Sequence, residues 1–263
     1  MDVALAATYH DPKGRLREQI QRVLPTLDEI FSGLAIRASY VASEQSLSLF
    51  TDAGALVKRE SKERFKVPKL GVARREAITL ALQFDTPFVM YCDGDRVLHW
   101  AEQYPEELVQ VIGRLSKNDF TVLGRTERAF NSHPRVQRDT EAIVNYVFQV
   151  VSGYNWDVMA AARGLSRRAI ETIRNKCFDE EISTDVSWPL FLRSTGGFSF
   201  GYIVTEGLEF ETPARYSEEI IAVGGYGEWL KQRDSDLNRW IRRLNFASTH
   251  VEAMIPFAKE SAG

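Results

Sequence analysis

Two aspartates that flank a glycine follow a short apolar segment in the first half of the chain. The segment is Pro87-Phe88-Val89-Met90-Tyr91-Cys92, and the Asp-x-Asp motif after it is Asp93-Gly94-Asp95. Residues i and i+2 of an extended chain point to the same side, so both carboxylates can converge on one cation. Gly94 has no side chain, which lets a phosphate group approach the backbone closely. The motif therefore predicts a Mg²⁺ or Mn²⁺ site that carries a diphosphate at the end of a buried strand.

A second aspartate pair, Asp234 and Asp236, has the same spacing in a different context. It follows Lys231-Gln232-Arg233 rather than an apolar segment. Carboxylates in such a position are typical of the N-terminal turn of a helix, where they interact favourably with the helix dipole. We therefore predict a helix start at this pair and assign the metal site to Asp93 and Asp95.

The elements that must position the motif alternate between strand and helix patterns. Val3 to Thr8 predicts a first, central strand, and Leu34 to Val41 predicts a second strand. A helix that runs from Leu70 towards Phe84 leads into the strand that ends at Asp93, and a further strand follows at 120–124. This order favours parallel β-α-β units and an α/β fold.

Two further patterns concern helices. Pro25 lies inside the helical pattern between the first two strands and predicts a kink or a division of that helix. Apolar residues recur at helical spacing near the C-terminus and predict a long final helix; they are Leu237, Ile241, Leu244, Val251 and Ile255. We expect this stripe to pack against the domain or against the partner in a homodimer.

Composition excludes several classes of protein. The chain has 263 residues, of which 44% are hydrophobic and 26% charged, as in ordinary soluble globular proteins. The formal net charge of -3 argues against a nucleic-acid binder. Cys92 and Cys177 imply no disulfide framework and favour a reducing compartment. Neither a transmembrane segment nor a signal peptide is visible, so we expect a cytoplasmic protein.

Six segments occur in the order that one family shows. They are Ala6-Ala7-Thr8-Tyr9, Ala73-Arg74-Arg75, Asp93-Gly94-Asp95, Leu123-Gly124-Arg125, Asp157 to Ile173 and Val204-Thr205-Glu206-Gly207. In this order they resemble a glycosyltransferase of the GT-A fold, one of the nucleotide-diphospho-sugar transferases. The fifth segment looks like the acceptor-side segment of the polyprenyl-phosphate glycosyltransferase group.

The resemblance implies a fold and a division of the chain. The expected fold is a GT-A (Rossmann-like) α/β fold with a mixed, mostly parallel sheet flanked by helices. Residues 1–213 would form the nucleotide-sugar-binding and catalytic domain, and residues 214–263 a helical C-terminal extension packed on it. The chain departs from the family in lacking a Pro-Thr-Tyr-Asn loop, and no membrane segment follows, so the acceptor stays open.

The resemblance also implies binding roles for residues outside the Asp-x-Asp motif. Thr8 and Tyr9 occupy the loop that holds the nucleotide base, and Glu44 follows the second strand, where an acid commonly meets uracil or ribose. The alternative is that Tyr9 packs locally and Glu44 is solvated. Arg74 would hold the diphosphate through its planar guanidinium, with Arg75 directed to solvent.

Two residues in the second half of the chain are candidates for catalysis and for the metal. Asp185 lies where an inverting transferase places the carboxylate that takes a proton from the acceptor hydroxyl, with a charged helix face as the alternative. His250 is a candidate third metal ligand, although a lone histidine is more often an ordinary packing residue.

The function predicted on this basis is metal-dependent transfer of a sugar from a UDP- or GDP-sugar to an unknown hydroxyl. The acceptor would be a small molecule or a lipid phosphate. Arginines between Arg125 and Arg168 could receive it; the alternative is that they belong to solvated loops and helix faces. A nucleotidyltransferase that acts on a sugar phosphate and a non-catalytic nucleotide-sugar-binding protein are the alternatives. The sugar, the acceptor and the stereochemical course stay open.

Overall fold

A seven-stranded sheet forms the centre of the structure, a computed structural model that describes residues 2–65 and 69–258. The strands are β1 (Val3–Tyr9), β2 (Leu34–Ala38), β3 (Leu56–Arg59), β4 (Phe88–Asp93), β5 (Phe120–Arg125), β6 (Ala162–Ser166) and β7 (Phe200–Thr205). Their order across the sheet is β3-β2-β1-β4-β6-β5-β7, and β6 pairs antiparallel with β4 and β5 while the other pairs are parallel. The predicted mixed, mostly parallel sheet is confirmed.

Helices connect the strands and cover both faces of the sheet. They are α1 (Arg17–Ile30), α2 (Glu44–Asp52), α3 (Lys62–Phe65), α4 (Leu70–Ala81), α5 (Gly94–Gln103), α6 (Pro105–Ile112), α7 (Glu127–Asn131), α8 (Arg135–Ser152), α9 (Arg167–Lys176), α10 (Thr184–Thr195), α11 (Ser217–Ala222), α12 (Tyr226–Ser235) and α13 (Leu237–Glu252). Short 3-10 helices cover Leu115–Lys117, Thr212–Tyr216 and Ile255–Phe257. Helix α1 continues through Pro25, so the division predicted there does not occur.

The alternation of side chains along each strand separates two hydrophobic layers. Leu5 and Ala7 of β1 pack on the layer that contains α1, α5 and α6. Ala4 and Ala6 face the opposite layer, which contains α4, α9, α10 and the buried part of α13. The side chain of Tyr91 in β4 also belongs to this second layer. The residues that continue this face at the carboxyl ends of β1, β2 and β4 therefore lie on the same side of the sheet as α4, α10 and α13.

The C-terminal helices pack on the sheet domain through fewer residues than the sequence indicated. Ala247 and His250 of α13 are buried, and α13 contacts α8 and α10. Leu237, Ile241 and Leu244 are exposed, so the prediction that they pack on the domain is wrong. Their role in a homodimer and the domain boundary at residue 213 stay predictions, and residues 259–263 of the proposed extension lie outside the described residues.

The aspartate pair near the C-terminus lies between two helices. Asp236 caps α13 and accepts a hydrogen bond from the backbone N–H of Asn238 at 3.0 Å, which confirms the predicted helix start. Asp234 instead lies in the last turn of α12, where it accepts from the backbone N–H of Val136 at 3.0 Å. Both carboxylates therefore stabilise helix starts.

Candidate functional site

A cleft of ≈ 590 Å³ opens where β1, β2 and β4 end. The register pairs Thr8 with Arg37 on one side and with Asp93 on the other, so the three side chains lie at one level on one face. The polar residues that line the cleft include Thr8, Arg37, Ser39, Glu60, Asp93 and Asp95. A crevice at the carboxyl ends of parallel strands is the usual place for ligands in α/β proteins.

The Asp93-Gly94-Asp95 motif forms a junction between strand and helix. Asp93 ends β4 and is the N-cap residue of α5, whereas Asp95 lies in the first turn of α5. The two aspartates are therefore not on one extended segment as the sequence spacing suggested, yet both line the same cleft. A Cβ atom on Gly94 would lie 2.8 Å from the carbonyl oxygen of Thr8. The glycine is thus required for the close approach of α5 to the end of β1.

Three side chains orient the carboxylate of Asp93. The Tyr91 hydroxyl donates to Oδ1 at 2.6 Å, and the Thr8 hydroxyl donates to the same oxygen at 3.1 Å. Arg74 Nη2 lies 3.4 Å from Oδ2. Burial, together with the negative charge of Asp93, raises the pKa of Tyr91 well above its ordinary value. Tyr91 therefore remains a hydrogen-bond donor, and the Asp93 carboxylate stays in one orientation.

The carboxylates of Asp93 and Asp95 match the site of a cation that binds together with a phosphate-containing ligand. No group of three or more His, Cys, Asp or Glu side chains within residues 2–65 and 69–258 is arranged to hold a metal ion. Mg²⁺ is commonly bound through one or two carboxylates, with substrate phosphates and water completing the octahedron. Asp93 and Asp95 in one cleft match that donor set. A cage made of protein ligands alone does not occur in this part of the chain.

Arg74, on α4, connects the Asp93 motif with Asp185. Its Nη1 donates to Asp185 Oδ2 at 2.8 Å and to the Thr184 hydroxyl at 3.0 Å. Burial lowers the pKa of Arg74, but the carboxylates of Asp185 and Asp93 outweigh burial and raise it well above its ordinary value. Arg75 instead donates to the backbone carbonyls of Cys177 and Asp179. Of the two arginines, Arg74 is the one that contacts the motif.

Asp185 lies at the centre of a buried cluster of charged side chains. Its partners are Arg74, Arg163 and, at 3.5 Å, Nε2 of His250. Burial alone would raise the pKa of Asp185, but Arg74 and Arg163 lower it well below the ordinary value. The cluster therefore holds this carboxylate ionised and reduces its affinity for a proton. Its predicted role as the acceptor's base stays a prediction.

His250 has a protein partner on each ring nitrogen. Nδ1 lies 2.6 Å from the backbone carbonyl of Phe246, and Nε2 faces Asp185. The side chain is fully buried and does not line the cleft, whereas Phe246 of the same helix does. These contacts make His250 part of the cluster around Asp185, and its role as a third metal ligand stays a prediction.

The residues predicted to hold the nucleotide base lie in different surroundings. Tyr9 lines the cleft, but its ring packs edge-on against Phe50 at 5.5 Å and its hydroxyl donates to Asp11 at 3.2 Å. Glu44, at the start of α2, is 78% exposed and pairs with Arg59 at 2.7 Å. Glu44 does not line the cleft.

Sequence reasoning missed the polar residues where β2 and β3 end. Glu60 follows β3 and lies 3.7 Å from Arg37, and Ser39 follows β2 and is hydrogen-bonded to His10 at 2.9 Å. All four residues line the cleft. The sequence signal for Glu60 was an acid directly after the segment Leu56–Arg59. That segment is short and ends in two basic residues, so it does not indicate a strand.

Comparison with solved structures establishes the fold. Glucosyl-3-phosphoglycerate synthase from Mycobacterium tuberculosis in complex with UDP superposes with a TM-score of 0.61 at 12% identity, over 99% of this chain and 82% of that chain. The same enzyme in complex with Mn²⁺, UDP and phosphoglyceric acid superposes with a TM-score of 0.55 at 12% identity, over 77% of this chain and 68% of that chain. The complex of that enzyme with Mn²⁺, UDP-glucose and phosphoglyceric acid superposes with a TM-score of 0.52 at 11% identity, over 92% of this chain and 79% of that chain.

These likenesses define what the chain is similar to in architecture. No family model matches the sequence, and no curated protein matches it by sequence. The predicted GT-A fold is confirmed, whereas the resemblance to the polyprenyl-phosphate group stays a prediction. No helix in the described ranges is both long and apolar enough to cross a bilayer.

Proposed function

We propose that this protein is a metal-dependent glycosyltransferase that moves a sugar from a nucleoside diphosphate to a hydroxyl group of a small acceptor. The observation that carries the proposal is the cleft at the ends of β1, β2 and β4, which is lined by both Asp93 and Asp95. The solved structures of similar fold add support, because they contain UDP or UDP-glucose, and two of them contain Mn²⁺.

The two ends of the cleft offer different chemistry to the two ends of a nucleotide sugar. At the β2 and β3 side, Ser39, Arg37 and Glu60 supply a hydroxyl, a guanidinium and a carboxylate. A carboxylate there can accept hydrogen bonds from ribose hydroxyls or from a ring N–H. We therefore assign to Glu60 the nucleoside contact that the sequence assigned to Glu44. The diphosphate would lie at the β4 side, next to Asp93 and Asp95.

The leaving group in this transfer is a nucleoside diphosphate, whose negative charge must be stabilised as the sugar departs. A bound Mg²⁺ or Mn²⁺ would neutralise that charge as a Lewis acid and would orient the diphosphate. The chain itself fixes Asp93 through Tyr91, Thr8 and Arg74. Such pre-oriented carboxylates avoid reorganisation during the reaction.

Asp185 can serve this reaction in one of two ways. As the acceptor's base it would take a proton from the attacking hydroxyl. As a positioning residue it would hold Arg74, which in turn contacts Asp93. Its contacts with two arginines favour the positioning role, because they stabilise the charged form. The two roles predict different effects for the same substitution.

Transfer can be measured with a panel of UDP-, GDP- and ADP-sugars and small hydroxylated carboxylates and phosphates as acceptors. We expect release of nucleoside diphosphate, with a glycosylated product detected by mass spectrometry, to require Mn²⁺ or Mg²⁺. Asp95→Ala should lower the rate at least about 100-fold, because several kcal/mol of charge stabilisation is lost.

Glu106→Ala is the matched control, since Glu106 is an exposed acid in the first turn of another helix, α6. It should leave the rate unchanged. Tight metal-dependent binding of a nucleotide sugar without transfer to any acceptor would favour the non-catalytic alternative. Equal rates with and without a divalent cation would contradict the proposal.

A further inference from the structure

A second cavity, of ≈ 280 Å³, adjoins the nucleotide cleft. The two share Leu70, Asp93, Ile182 and Phe246 in their walls. The second cavity is distinguished by its guanidinium groups, and we call it the arginine cavity; its basic residues are Arg74, Arg96, Arg242 and Arg243. They come from α4, α5 and α13, and they line the cavity together with Asp93, the last residue of β4.

Acidic side chains neutralise only part of this positive charge. Arg74 is paired with Asp185. Arg243 lies 3.3 Å from Glu141, but Glu141 also pairs with Arg125 at 2.7 Å. Neither Arg96 nor Arg242 forms an ion pair within the part of the chain that the structure describes.

Arg96 is the residue whose state points to a ligand. It is buried, with 9% of its surface exposed, and its Nη1 has no hydrogen-bond partner among the described residues. Buried charges in proteins are normally paired, because burial of an unpaired ion costs several kcal/mol. The guanidinium nevertheless stays charged, because arginine does not deprotonate in proteins.

The surroundings of Arg243 indicate the same excess of positive charge. Burial lowers the pKa of Arg243, the carboxylate of Glu141 offsets part of that effect, and the charges of Arg96 and Arg242 lower the pKa further. A bound anion would relieve this repulsion. Guanidinium groups bind phosphate and carboxylate through paired N–H donors, and the cavity contains several of them.

We propose that the arginine cavity binds the anionic group, a phosphate or a carboxylate, of the acceptor that receives the sugar. This inference rests on the proposed function and adds the substrate class: a small anionic hydroxy compound. Since the cavity and the cleft share Asp93, an acceptor anchored at Arg96 would present its hydroxyl beside the donor site. A volume of ≈ 280 Å³ suits a small soluble anion rather than a lipid chain.

Binding of inorganic phosphate tests the cavity without requiring turnover. Phosphate is titrated by calorimetry at constant ionic strength, first into the free protein and then with UDP and Mg²⁺ present to occupy the cleft. We expect saturable binding in both cases. Arg96→Met should weaken phosphate binding at least tenfold while UDP binding is retained, and Arg242→Met should also weaken it. Arg114→Met, on an exposed arginine, is the control and should bind as the wild type does.

The thermal stability of the same variants separates a binding role from a structural one. If Arg96 binds phosphate, added phosphate should raise the melting temperature of Arg96→Met less than it raises that of the wild type. Arg96→Lys should keep part of the phosphate affinity. Unchanged phosphate binding in Arg96→Met and Arg242→Met would overturn the inference, as would an equal rise in melting temperature with phosphate in Arg96→Met and the wild type.

The failures of the two proposals can be told apart. If phosphate does not bind at Arg96 but UDP still binds in a metal-dependent way, the glycosyltransferase proposal stands and the acceptor binds elsewhere. Phosphate binding at Arg96 without any UDP binding would contradict the proposed function instead. An arm with a short-chain isoprenyl phosphate tests the lipid source: tighter binding than inorganic phosphate, lost in Arg96→Met, would overturn the assignment to a small soluble acceptor.

Discussion

Neutralising Asp185 should destabilise the protein strongly and should reduce donor binding as a secondary effect. In Asp185→Asn the shape is retained, but the buried guanidinium groups of Arg74 and Arg163 lose their shared counter-ion. Removal of one partner from a buried ion pair typically costs about 3–5 kcal/mol. Whole domains are stable by only about 5–15 kcal/mol, so the change would be a large fraction of the total.

Urea denaturation followed by circular dichroism measures this loss directly. We expect Asp185→Asn to lower the free energy of unfolding by about 3–5 kcal/mol at neutral pH. The control is Asp139→Asn, which removes an exposed carboxylate paired with Arg135 one helical turn away. Such pairs contribute only about 0.3–0.5 kcal/mol.

The pH dependence gives a second, independent check. Because the pKa of Asp185 is lowered in the folded state, its stabilisation is fully present above the pKa in the unfolded chain, about 3.9. It is lost as the pH falls below that value towards the lowered folded pKa. The difference in stability between wild type and Asp185→Asn should therefore be constant from pH 7 to about pH 4 and should narrow below it.

The opposite role for Asp185 would give a different pattern. If Asp185 were the acceptor's base and its contacts contributed little to folding, Asp185→Asn would change the free energy of unfolding by less than about 0.5 kcal/mol. Turnover would then fall by about 10² to 10⁴ with donor binding unchanged. That combination would refute the account of a buried ion cluster and would restore the catalytic role.

Two further predictions concern the geometry of the cleft. Gly94→Ala should destabilise the fold by about 1–3 kcal/mol, because the new methyl group meets a backbone carbonyl of β1 at 2.8 Å. Gly113→Ala is the control and should change the free energy of unfolding little, because its Cβ would lie 3.6 Å from the nearest atom. Equal losses of unfolding free energy in both variants would contradict the steric explanation for Gly94. Glu60→Gln should weaken UDP binding measured by calorimetry, whereas Glu44→Gln, at an exposed side chain at the start of α2, should not. A larger loss of UDP affinity in Glu44→Gln than in Glu60→Gln would instead support the assignment of the nucleoside contact to Glu44.

The central part of the sheet could be predicted because its strands have strong signals. The apolar run before Asp93 has strand length and ends abruptly in carboxylates, and Val3 to Thr8 is similarly apolar. By contrast, β3 lies at the edge of the sheet and has exposed Lys58 and Arg59, so no apolar pattern marks it. Since β3 was missed, so was the position of Glu60 at its end.

The contacts of the candidate site were harder to predict than its location. Arg74, Arg163, Asp185 and His250 come from α4, β6, α10 and α13, and they meet only because these elements pack on one face of the sheet. Sequence spacing carries no information on such long-range ion pairs. For Asp95, the missing information was that α5 begins directly after the strand and changes the geometry between the two aspartates.

Calorimetric titration of UDP with Mn²⁺ and with a chelator tests most directly whether the Asp93 cleft binds a metal-bound nucleoside diphosphate. We expect wild-type protein to bind UDP more tightly with Mn²⁺, and Asp95→Ala to lose this difference while keeping its fold. Glu106→Ala, the exposed acid on α6, should behave as the wild type. An equal Mn²⁺ dependence in Asp95→Ala and wild type, or UDP binding that does not depend on Mn²⁺, would contradict the account.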